Sequence, residues 1–149
     1  MTLTTVFIKK VSTNKDFNLP KYQTEGSVGM DLSASINENI VINPGEWKLI
    51  PSGIAISLPE NLEAQIRPRS GLAAKYGLTV LNSPGTIDTD YRGEIKVILI
   101  NHSSEIFTVK NNERIAQMVF NEVKKISLKE VDDLDDTNRG KKGFGSTGQ

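Results

Sequence analysis

The sequence predicts an all-β domain, a sandwich or jelly roll carrying one short helix. Three observations predict it. Leu62-Glu63-Ala64-Gln65-Ile66-Arg67 alternates apolar and polar residues, the period-2 mark of a half-buried strand. Turn residues such as Asn43-Pro44-Gly45 and Ser83-Pro84-Gly85 recur at short intervals between strand-forming runs, which suits many short strands. Only one stretch reads as helix: Ser70 as N-cap, Leu72-Ala73-Ala74-Lys75-Tyr76 as one or two turns, and Gly77 as the stop.

Taken in order, Thr4–Val11 is a short strand and Lys15–Gln23 a loop broken by Leu19-Pro20. Gly26–Ala34 mixes glycine with strand formers and carries Asp31. Ile40–Ile42 is strand, and Glu46–Leu58 is strand interrupted at Pro51-Ser52-Gly53. Asn82–Glu94 lies between the apolar runs Leu78–Leu81 and Ile95–Ile100 and reads as a loop or hairpin. In Ile95–Ile100 both faces are apolar, which implies burial on both, one of them against another subunit. Ile115–Phe120 is a further dense strand with one polar residue, Gln117. Near residue 129 the character changes to an acidic run, Asp132-Asp133-Leu134-Asp135-Asp136, and then a glycine-rich basic end. The expected division is a β-rich domain over residues 1–130 and a flexible C-terminal arm over 131–149.

Composition narrows the function. A chain of 149 residues is one domain by length. Eighteen basic residues balance eighteen acidic ones, so no whole-chain field favours duplex nucleic acid or an anionic membrane. With no cysteine there is no disulfide framework, thiolate metal site or cysteine nucleophile. No stretch has the apolar length of a signal peptide or a membrane span, and the expected location is cytoplasmic. His102 is the one histidine; in a loop without a partner motif it reads as structural or exposed.

Several segments admit both a chemical and an ordinary reading. Gly143-Phe144-Gly145-Ser146-Thr147-Gly148 matches the dinucleotide pattern G-x-G-x-x-G, but no strand precedes it and no helix follows. It is either a disordered end or a lid that wraps phosphates with Arg139, two hydroxyls and free N–H groups and stacks Phe144 on a flat base. Arg67-Pro68-Arg69-Ser70-Gly71 is an anion site at a helix start, or an N-cap among surface arginines. Asp31 is a turn or surface carboxylate, or, beside a triphosphate, a ligand that reaches Mg2+ through water. Gln117 needs a partner, either backbone or a pocket. The acidic run is a solvated linker; it lacks the glycine and terminal glutamate of a calcium loop.

Five of these segments, in this order, resemble the trimeric dUTP pyrophosphatases (dUTPases). They are Val28-Gly29-Met30-Asp31-Leu32-Ser33-Ala34, Pro68–Ala73, Asn82–Glu94 with Ile87-Asp88-Thr89-Asp90-Tyr91 at its heart, Arg114-Ile115-Ala116-Gln117-Met118, and Arg139–Gly148. Val28 and Met30 depart from the family's usual alanine and aromatic, which touches packing near Asp31. The resemblance implies a distorted, β-clip-like jelly roll that forms a homotrimer with shared active sites. It implies Mg2+-assisted hydrolysis of dUTP to dUMP and pyrophosphate, which limits uracil incorporation into DNA and supplies dUMP for thymidylate synthesis.

The resemblance also implies roles. Asp88 would activate the water that attacks the α-phosphorus. Arg69, Ser70, Gly71 and Gln117 would hold phosphates from one side, and Arg139, Gly145, Ser146 and Thr147 from the tail. Asn82, Gly85, Thr86 and Ile87 would read uracil, whose two acceptors flank one donor; cytosine would leave buried groups unpaired. Tyr91 would pack under the deoxyribose and exclude a 2′-hydroxyl. Phe144 would stack on the base. Lys96 would lie beside the substrate, where its ordinary reading is a surface lysine. Two rivals are a dCTP deaminase of the same fold and a nucleotide-sensing trimer without turnover.

Overall fold

The computed structural model describes residues 4–143. Eleven strands and one helix follow in chain order: β1 Phe7–Lys10, β2 Met30–Ser33, β3 Ile40–Ile42, β4 Trp47–Pro51, β5 Ile54–Ser57, β6 Leu62–Arg67, α1 Ser70–Tyr76, β7 Leu78–Val80, β8 Gly85–Ile87, β9 Lys96–Asn101, β10 Phe107–Val109 and β11 Arg114–Glu122. Every pairing is antiparallel. The order β2-β11-β6-β8 makes the largest sheet and β4-β9-β7 the second, with β1-β5 and β10-β3 as two-stranded ribbons. The all-β, jelly-roll-like fold expected from the sequence is the fold observed.

β6 shows why the pattern works. Leu62, Ala64 and Ile66 are buried while Glu63, Gln65 and Arg67 face outward, as a strand with one wet face requires. Ala64 and Ile66 join Leu32, Ile50, Ile54 and Leu99 in one core. Alternation fails in β11 because its register against β2 shifts between Arg114 and Ala116. The extra residue of the bulge lets Ile115 and Ala116 both turn inward.

Three expectations are refined. Arg69, not Ser70, is the N-cap of α1: it is extended (φ −93°, ψ 125°), and no side chain caps the helix. The chain leaves β6 through Pro68, and its last extended residue is Arg69, whose carbonyl accepts from both Leu72 and Ala73 N–H. Gly77 does close the helix, at φ +61°, a left-handed geometry that glycine adopts without strain. In β9 only Val97, Leu99 and Asn101 are fully covered; Ile98 and Ile100 are half-covered by this chain. They sit opposite Leu49 and Trp47, which are 50% and 57% exposed. Finally, Asn82–Glu94 is not a plain hairpin. The flanking strands β7 and β9 do pair, but between them the chain crosses to the other sheet, where β8 adds to the edge of β6.

Asn101 ties the second sheet to β3. It is fully buried, and its amide N–H groups donate to the carbonyls of Ile42 at 3.0 Å and Glu105 at 2.7 Å. Its Oδ1 accepts from Ser103 N–H and Oγ. Asn101→Ala is expected to lower the unfolding free energy by about 2–3 kcal/mol, because buried carbonyls lose their donors. Urea unfolding at one fixed protein concentration checks this; a loss below about 0.5 kcal/mol would remove Asn101 as a fastener.

Candidate active site

The crossing of the 82–94 segment creates a cleft. Asn82, Thr86, Ile87, Asp88, Tyr91 and Lys96 line one cavity of about 410 Å3. Its floor comes from Leu49 and Ile98 of the second sheet, and Glu94 and Ile95 complete the rim. Gly85 is buried beside it; a Cβ there would stand 3.1 Å from Asn82 Nδ2 and 3.4 Å from Ile66 Cβ, so any side chain would press on the asparagine amide. Asp88 is exposed to solvent. Its carbonyl accepts from Tyr91 N–H at 3.2 Å, which folds the chain back and turns Tyr91 to the same cavity. Glu94 Oε2 lies 4.0 Å from Lys96 Nζ, a partly exposed pair that contributes little stability.

A second group of predicted residues gathers elsewhere. Across the large sheet, Asp31 of β2 pairs with Gln117 of β11, which pairs with Arg67 of β6. Directly opposed residues share a face, so a carboxylate, an amide and a guanidinium stand in a row. Asp31 is held by two guanidiniums: Oδ1 is 3.0 Å from Arg69 Nε and Oδ2 is 3.0 Å from Arg114 Nη1. Arg69 Nη1 also donates to the Arg114 carbonyl at 3.0 Å. Arg69 is thereby fixed against the strand end rather than left as a free surface side chain. Gln117 Nε2 donates to the Pro68 carbonyl at 2.9 Å, and a Cβ at Gly29 would run into Gln117 Oε1. Gln117 therefore has both partners left open by its sequence: the backbone, and a surface groove of about 470 Å3 shared with Arg67, Pro68 and Ser83. Ser70 and Gly71 are exposed on the first turn of α1.

The two groups do not meet within one chain. Arg69, Ser70, Gly71 and Gln117 are absent from the lining of the Asp88 cleft. Arg139 sits in an exposed turn, with Nε donating to the Lys142 carbonyl at 3.0 Å. Phe144, Gly145, Ser146 and Thr147 lie outside the described residues. His102 is exposed, and its backbone N–H donates to the Gly77 carbonyl.

The donor set bears on Mg2+. Among the described residues no three His, Cys, Asp or Glu side chains converge, and both Asp31 oxygens already face guanidiniums. These residues do not form a self-sufficient cage. They fit an ion held mainly by phosphate oxygens and water, as Mg2+ prefers.

Sequence reasoning did not single out Glu94, Leu49, Ile98 and Arg114. Glu94 and Arg114 had a signal: each is a charge at the border of a motif, Glu94 just before β9 and Arg114 at the start of β11. Leu49 and Ile98 had none, because only the register of β4 on β9 brings them to the cleft.

The architecture defines a class, an antiparallel jelly-roll-like protein with a polar cleft where one sheet borrows a strand from the other's connection. The family follows from comparison. The dUTPase family model matches residues 15–148. A deoxyuridine 5'-triphosphate nucleotidohydrolase of Rickettsia bellii is 59% identical over 148 residues, covering 99% of this chain and 98% of that protein. One of Caldanaerobacter subterraneus is 55% identical over 141 residues, covering 95% of each. The solved dUTPase of Staphylococcus bacteriophage 80alpha with dUPNHPP superposes with a TM-score of 0.87 at 26% identity, covering 99% of this chain and 100% of that one. The chain belongs to the dUTPase family.

Proposed function

We propose that this protein hydrolyses dUTP to dUMP and pyrophosphate, and that the cleft gathering Asn82, Thr86, Ile87, Asp88, Tyr91 and Lys96 receives the nucleoside. That gathering is the observation that carries the reading: residues over fifteen positions meet in one concave site, with the exposed carboxylate of Asp88 among them. Asp88 takes a proton from the water whose oxygen attacks the α-phosphorus. The bond from that phosphorus to the bridging oxygen breaks, and pyrophosphate leaves. The Asn82 amide and the backbone of Gly85, Thr86 and Ile87 read the acceptor-donor-acceptor edge of uracil. Tyr91 bounds the sugar, and Lys96 lies beside it.

Arg69, Ser70, Gly71 and Gln117 hold the phosphate chain in this reading. Arg139, Phe144, Gly145, Ser146 and Thr147 close over the substrate from the arm. Mg2+ bound with the triphosphate would supply charge neutralisation, and Asp31 is the residue that would help hold it, through water.

The separation of the phosphate residues from the cleft supports a homotrimer with shared sites. Pro68–Ala73, Asp31 and Gln117 come from one copy, the Asp88 loop from the next, and the arm from the third. The open apolar face of the second sheet, with Trp47, Leu49 and Leu81 each about half exposed, is the surface assigned to the neighbouring copy. Leu49 belongs both to that face and to the cleft, so covering it would complete the pocket. The proposed location is the cytoplasm, with the nucleotide pool.

The deciding experiment supplies dUTP, dCTP, dTTP and UTP with Mg2+ and measures pyrophosphate and ammonia. Rapid pyrophosphate from dUTP alone is expected; ammonia from dCTP would mean a deaminase, and tight dUTP binding without turnover would mean a sensor. Asp88→Asn is expected to keep dUTP binding while turnover falls by about 10²–10⁴-fold, the scale of a lost general base. An active Asp88→Asn protein would assign the base elsewhere. Removing residues 139–149 is expected to leave a folded trimer by light scattering with little activity. Full activity after truncation would contradict the closing arm.

A further inference from the structure

We infer that Gly93 and Glu94 are positioning residues for sugar specificity: together they form the seat that holds the Tyr91 ring against the cleft. This rests on the nucleoside reading of the cleft given above. Tyr91 is 43% exposed, so packing alone does not fix its ring. Its hydroxyl donates to the Glu94 carbonyl at 2.9 Å. Directly behind the ring is Gly93, where a Cβ would stand 2.5 Å from the Tyr91 hydroxyl oxygen and 2.7 Å from Cζ. The ring occupies the space that any other residue at 93 would fill.

The seat is itself anchored. Glu94 Oε1 accepts from Gly53 N–H at 2.9 Å. The next residue, Ile95, gives its carbonyl to Ser52 Oγ at 2.5 Å and to Ser52 N–H at 3.1 Å, and its N–H donates to the Ile54 carbonyl at 2.8 Å. Four bonds thus tie residues 94–95 to Ser52 and Gly53, the turn between β4 and β5, and to Ile54, the first residue of β5. Gly53 sits at φ +73°, and a Cβ there would come within 2.8 Å of Ser12, Phe17 and Ser35 carbon atoms, so the turn is closely packed against those side chains. The tyrosine hydroxyl, through one carbonyl, is referred to the buried frame of the domain. Such a fixed wall discriminates between sugars that differ by one hydroxyl, whereas a ring free to swing toward solvent would yield to it.

A methyl group at 93 has an inexpensive escape, because the atoms it meets are the far end of a flexible side chain with water beyond. Gly93→Ala is therefore expected to fold, with the ring tip leaving the Glu94 carbonyl and turning outward. The test is equilibrium binding of dUMP and UMP to the full chain by calorimetry, for wild type, Gly93→Ala and Tyr91→Phe, with a melting curve for each. Wild type is expected to prefer dUMP. Gly93→Ala is expected to shrink the ratio of the two Kd values by about tenfold with little change in Tm. Tyr91→Phe, which keeps the ring and loses its tether, is expected to shrink it by about threefold, the scale of one modest hydrogen bond. A wild-type ratio in Gly93→Ala overturns the inference; should that variant misfold, a wild-type ratio in Tyr91→Phe does so. Neither measurement uses turnover, so failure of dUTP hydrolysis is read separately, from pyrophosphate release by wild type.

Discussion

The pairing of Gly85–Ile87 with β6 is the constraint on which the site depends. Its three residues take the connection between β7 and β9 out of their own sheet and clamp it to the other. The chain must then return to β9, and it does so through residues 94–95, which are bonded to the turn between β4 and β5. With both ends fixed to different sheets, residues 88–93 have little freedom, and a cleft opens between them and the floor of Leu49 and Ile98. A loop closed on one sheet alone would lack that second wall.

The other half of the chemistry is organised by charge. Asp31 satisfies two guanidiniums with two oxygens, which orients Arg69 at the start of α1 and Arg114 at the start of β11. Arginine forks hold such geometry where lysine would not. Gln117, tied to Pro68, spaces this cluster from Arg67. In the proposed function these contacts order the rim that meets the phosphates before substrate arrives, so ligand binding need not order it.

Much of this was legible in the residues. Period-2 alternation located β6, turn residues bounded β3 and β4, and Gly77 stopped the helix, because each depends on a few neighbouring side chains and backbone angles. The order of five short motifs carried the family. Less legible was the start of α1, where Ser70 has the right chemistry for a cap but the extended geometry falls one residue earlier, on Arg69. The doubly apolar β9 was read correctly as a strand; its own chain covers one face and leaves Ile98 and Ile100 partly open, on the face that the sequence reading gave to another subunit.

By itself, then, the sequence determined the class of fold, the strand faces and the residues with chemistry to offer, since local period and turn geometry follow from side chains a few positions apart. Only the tertiary structure decided how those residues are grouped. It joined Asp31 to Arg114 across 83 positions, moved β8 into the opposite sheet, set Tyr91 on Gly93, and kept Arg69 and Gln117 out of the Asp88 cleft. Strand register makes those choices. It depends on how distant apolar faces fit one core, and no short stretch of the chain encodes that fit.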